Sequence, residues 1–175
     1  MKKILLIALV FLAAAASAQD LPYIDSLNYY FTGLVNDYRN AREVPCIWMD
    51  ANLADFATNH VWYLIGHPDE GLVHSIHALA ENDSSVFQKV VENLIGPGNI
   101  FVENVAKIKD DGNIRTIKQL AQSVFDLWAS QANSSSSMLN DAVDFFYIAY
   151  GETDEAYYLT FIGVSEKQNK PENQN

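Results

Sequence analysis

The chain has a single cysteine, Cys46, in 175 residues. One thiol closes no disulfide within the chain, so covalent staples are excluded and stability must rest on a packed core. Between Pro45 and Ile47 that thiol is expected to be buried and inert. Basic residues are also scarce, 11 Lys and Arg against 22 Asp and Glu, for a formal charge of −11. A surface of that sign repels phosphate backbones and anionic headgroups, which argues against a nucleic-acid partner. After Ala16 no apolar run approaches the ~20 residues that a membrane helix needs. No internal repeat is evident, and low complexity is confined to Ser134–Ser137, where a loop is expected to leave the last helix.

What is present is enough for one sizeable core, since 49% of the residues are apolar. The opening MKKILLIALVFLAAAASAQD has two lysines, an apolar run from Ile4 to Ala16 and small residues at Ala16 and Ala18. This is the pattern of a secretory signal cut before Gln19, and it predicts an exported protein, secreted or periplasmic. Loss of Lys2 and Lys3 makes the mature chain more acidic still. Residues 1–18 are expected to be the signal, 19–165 one folded domain, and the polar 166–175, EKQNKPENQN with Ser165 before it, a loose tail.

Apolar residues at Ile24, Leu27, Phe31, Leu34, Val35 and Tyr38 lay one stripe along a first helix. A break at Pro45 and a short extended piece holding Trp48 follow. Asp50 is then placed to cap a second helix, with Leu53, Phe56, Ala57, His60, Val61 and Leu64 on one side. His60 falls on that apolar face, where a histidine is expected to be a core residue held by a hydrogen-bond partner. Val86, Phe87, Val90, Val91 and Leu94 suggest a short helix closed by GPGN at residues 96–99. IFVENVAKI reads as extended chain. An amphipathic helix is expected over about 116–130, carrying Ile117, Leu120, Val124, Leu127 and Trp128, and VDFFYIAYG and AYYLTFIGV form a closing antiparallel hairpin across ETDE. Helices followed by late strands predict an α/β domain in which helices cover an antiparallel sheet.

EGLVHSIHALAE sets His74 and His77 three residues apart with Glu81 beyond them. The pair is a candidate for metal ligation, because side chains three apart on a helix are neighbours. Ser134 invites a nucleophile reading, but SSSS lacks the glycines of a strained nucleophile elbow. The acidic turn Glu152, Asp154, Glu155 lacks the glycine-bent loop of tight calcium sites and reads as a solvated hairpin tip. Tyr29, Tyr30, Tyr157 and Tyr158 read as half-buried packing in preference to a ligand groove.

The order of these pieces resembles the CAP superfamily, which includes cysteine-rich secretory proteins, antigen 5 and plant pathogenesis-related proteins, and in particular its small bacterial secreted members. LVNDYRNAREVPCIWMDANLADFA resembles the family's opening, an N-x-Y/H-R helix end leading through V-P to a tryptophan and a second helix. VENVAKI, with Val102 where the family has glycine, resembles the G-E-N-[IL]-A signature. AQSVFDLWASQANSSSSMLND resembles the stretch that carries G-H-R, and VDFFYIAYG with YYLTFIGV resembles the paired closing strands. The resemblance covers about residues 27–164. It implies a three-layer α-β-α sandwich with a central antiparallel sheet, and a cleft in which many members place two histidines and one or two glutamates. Such a set suits zinc.

Carried over by residue, the glutamate of G-E-N falls on Glu103 and the first histidine on His74 or His77. The second glutamate falls on Gln131 and the second histidine on Ser134. The implied cleft is thus His74, His77, Glu103, Gln131 and Ser134, and any metal would rest on His77, His74 and Glu103. A hydroxyl and a carboxamide are poor zinc ligands, so the resemblance implies a degenerate set and no catalytic residue is assigned. The expected function is cleft binding of a small molecule, lipid or protein by a non-catalytic secreted domain, with no cofactor. One alternative is a metal-assisted hydrolase using His74, His77 and Glu103 with zinc. A second is an envelope-associated protein that works through its acidic surface.

Overall fold

The computed structural model describes residues 23–72 and 100–165. Helix α1 (Tyr23–Asn40) is followed by strand β1 (Trp48–Met49), a 3-10 turn (Ala51–Leu53), helix α2 (Ala54–Gly66) and a second 3-10 turn (Pro68–Glu70). After residue 100 come β2 (Phe101–Lys109), α3 (Ile117–Ser130), α4 (Ala132–Met138), β3 (Phe145–Glu152) and β4 (Ala156–Val164). The short helix expected near Val86–Leu94 lies outside the described residues, as do the expected signal and the polar tail.

The strands form one sheet in the order β1-β3-β4-β2. β3 and β4 are the expected hairpin, with Tyr150 opposite Leu159, and β2 runs antiparallel along the other side of β4, with Glu103 opposite Ile162. β1 joins β3 in parallel through only Trp48 and Met49. The sheet is therefore mixed at one edge, a detail that the antiparallel expectation did not contain. A parallel partner needs a long crossover, and nearly a hundred residues separate these two strands.

Strand residues alternate between faces, and each face has its own helical cover. On one face Phe146, Ile148, Leu159 and Phe161 pack against Leu27, Phe31 and Val35 of α1, Leu120, Val124 and Trp128 of α3, and Met138 of α4. On the other, Tyr147, Ala149, Tyr158, Ile162 and Val164 pack against Leu53, Ala57, Val61 and Leu64. The two layers of helix around one sheet make the expected α-β-α sandwich. Tyr157 and Tyr158 are buried, one in each layer, while Tyr29 is exposed and meets Tyr30 edge-on. Gly151 leaves room for α2, because a Cβ there would sit 2.7 Å from Ile65 Cδ1 and 2.8 Å from Val61 Cγ1.

Side chains close the open sheet edges, where unpaired backbone groups would otherwise be buried. Beyond the short β1, the Asn28 carboxamide acts as a surrogate strand for β3, donating to Ile148 O at 2.9 Å and accepting from Ile148 N at 3.0 Å. At the opposite edge the Trp128 indole donates to Val105 O at 3.2 Å. Asp50 accepts from Asn52 N, so the expected cap is in place but serves the 3-10 turn that leads into α2, and Thr116 accepts from Gln119 N at the start of α3.

Arg39, fully buried at the end of α1, donates to the carbonyl oxygens of Pro45, Met138, Asn140 and Val143. Burial lowers the pKa of its guanidinium from the ordinary value, yet arginine remains charged in proteins. Four carbonyl dipoles offset the lost hydration. This hub fixes the chain that leaves α4, and so fixes α4 itself.

Two local expectations are corrected. Ser134–Ser137 are helical, within α4, and do not form a loop. Their hydroxyls find partners without leaving the helix: Ser136 and Ser137 bond back to Ala132 O and Asn133 O, and Tyr38 OH pairs with Ser135 Oγ at 2.7 Å. The helix is then anchored by Met138, which is fully buried. Cys46 is half-buried instead of enclosed, and its thiol donates to Asn40 Oδ1 at 3.4 Å.

Candidate functional site

β2 carries Glu103 and Asn104 in succession, so their side chains point to opposite faces of the sheet. Asn104 turns towards the layer of α1, α3 and α4, where its amide donates to Ser134 O at 3.0 Å. Glu103 turns towards α2. There its Oε1 lies 2.8 Å from Nδ1 of His60, with side chains only 4% and 3% exposed.

His60 reaches that place because it continues the apolar stripe of α2, one turn beyond Ala57 and one before Leu64. The Thr160 hydroxyl of β4 is 3.4 Å from the same ring nitrogen. Two lone pairs do not approach within 2.8 Å without a proton between them, so a proton lies between the carboxylate and Nδ1. A buried carboxylate is costly unless paired, and here an imidazole from the facing helix supplies the pairing. The contact ties α2 to β2.

The arrangement differs from a nucleophile triad. In a triad a carboxylate and a hydroxyl engage opposite nitrogens of the imidazole, so that one nitrogen takes the hydroxyl's proton while the carboxylate holds the N–H of the other. Here Glu103 and Thr160 both meet Nδ1, and the pair is enclosed between helix and sheet. What this geometry does is hold two layers together.

The family-implied cleft positions separate into groups. Gln131 caps the junction between α3 and α4, and Ser134 Oγ donates to Gln131 Oε1 at 3.3 Å, so these two are brought together. They stand on the Asn104 side of β2, whereas Glu103 points to the α2 side. His74 and His77, with Glu81, lie outside the described residues. Among the described residues no three of His, Cys, Asp and Glu are grouped closely enough to hold a metal ion. Of the implied metal ligands the structure describes Glu103 alone, enclosed against an imidazole, while Gln131 and Ser134 supply a carboxamide and a hydroxyl on the other face.

The stripe of α2 places His60 in the core, but nothing local to either segment matches it with Glu103. Two signals were there to combine. The alternation of FVENVAKI sets Glu103 on the same face as Phe101 and Val105, and the helical stripe sets His60 among Ala57, Val61 and Leu64. Each is a polar residue on an apolar face, and two such residues on facing elements satisfy one another.

At the C-terminal end of α2 a second cluster is exposed. His67 stacks on Tyr63 with ring centroids 4.1 Å apart, its Nδ1 lies 2.9 Å from Tyr63 O, and Tyr63 OH donates to Glu70 Oε2 at 2.7 Å. Trp48 and Trp62 are also exposed, at 61% and 60%.

Among the described residues no helix is long and apolar enough to cross a membrane. No curated protein matches the chain. Among solved structures, the chain is similar to an extracellular protein containing an SCP domain from Bacillus anthracis str. Ames, at 18% identity and a TM-score of 0.48. That similarity covers 79% of this chain and 40% of the neighbour, so this chain spans well under half the neighbour's length. The model of the cysteine-rich secretory protein family, CAP, matches residues 32–164, and the chain belongs to that family.

Proposed function

We propose that the protein is an exported CAP domain that binds a small molecule, lipid or protein partner and does not perform metal-assisted hydrolysis. The observation that carries this reading is the commitment of Glu103. Its carboxylate lies 2.8 Å from His60 inside the α2 layer, in a core that a metal and its water would have to enter. Freeing it for a metal would leave His60 without that carboxylate and would require space among Ala57, Val61 and Ile162, which are fully buried. Export is supported by the lysines, apolar run and small residues of Met1–Ala18, and the acidic composition argues against nucleic acid among the partners.

The test is metal content by mass spectrometry on protein purified without added zinc and then dialysed against it, in the parent and in His77→Ala and Glu103→Gln. The proposal expects zinc well below one equivalent and unchanged by either substitution. One equivalent of zinc that is lost in both variants would overturn it in favour of the hydrolase reading.

A further inference from the structure

We draw no further inference here: the strongest candidate, the exposed cluster at the C-terminal end of α2 in which His67 stacks on Tyr63 and Tyr63 donates to Glu70, carries nothing, because contacts within a surface cluster do not point to a ligand and no second observation at that place does.

Discussion

Replacing His60 with leucine should be among the most damaging single changes in the protein, and the reason lies in what it leaves behind. Leucine fits the stripe of α2, so the helix itself loses little. Glu103 stays, however, with its side chain 4% exposed and the imidazole at 2.8 Å removed. Stranding a buried carboxylate by removing its partner costs about 3–5 kcal/mol. With a urea dependence of about 2 kcal/mol/M, the midpoint should fall by about 2 M. Glu103→Gln should cost less, about 1–3 kcal/mol, since the amide is uncharged and can still face the ring. The double variant His60→Leu/Glu103→Leu should recover most of the loss and end within about 1 kcal/mol of the parent, because a pair replaced by apolar groups leaves no charge stranded. Urea unfolding at pH 7, followed by tryptophan fluorescence and circular dichroism, reads the parent, His60→Leu, Glu103→Leu, the double variant and, beside the cycle, Glu103→Gln. A coupling of at least about 2 kcal/mol is expected from the cycle. The reasoning is refuted if His60→Leu shifts the midpoint by less than about 0.3 M, or if the two losses simply add.

Arg39→Lys should destabilise the fold by at least about 3 kcal/mol in a thermal melt, since one ammonium cannot span four carbonyls and each one left unpaired costs about 1–3 kcal/mol. Gly151→Ala should cost about 1–3 kcal/mol by forcing Val61 and Ile65 away from β3, against no measurable loss at Gly33, where a Cβ meets nothing within 4 Å. Hydrogen bonds from the Asn113 backbone N–H and then its side-chain amide hold the Asp111 carboxyl below its ordinary range. A lowered folded-state pKa means stability that is present above the unfolded value and is lost as pH falls through the folded one. The acid limb of stability against pH should therefore be shallower in Asp111→Asn. Expression of the full chain in a secreting host, with intact-mass measurement of the exported product, should give a protein beginning at Gln19; a product retaining Met1–Ala18 would refute the export reading.

Much of the fold was legible because its signals are local and periodic. The stripe Leu27, Phe31, Val35 needs only the helical repeat, and the two aromatic strands joined across ETDE need only alternation and a turn. Asp50 announced the segment that leads into α2 for the same reason. The misread serine run shows where local signals end. Ser134–Ser137 are weak helix formers, and what makes them helical is remote: Tyr38 on α1, Asn104 on β2 and the anchoring of Met138. β1 is similar, since two residues become a strand only because Phe145 and Phe146 lie beside them. The site was legible residue by residue but not as a pair. Forty-three positions separate His60 from Glu103, and nothing in either segment states that α2 crosses β2 and β4 at that height. The resemblance to CAP proteins groups Glu103 with Ser134 in one implied set, and the alternation of β2 turns Glu103 to His60 and Asn104 to Ser134.

The central claim is that Glu103 is bound up with His60 in the core, and a long-range proton–nitrogen spectrum of the histidine rings tests it most directly. The account predicts that one of the four imidazoles, identified by its disappearance in His60→Leu, has a ring N–H that exchanges slowly with water and a nitrogen shift that moves in Glu103→Gln while the other rings hold still. A His60 ring in fast exchange with solvent, with nitrogen shifts indifferent to Glu103→Gln, would contradict it.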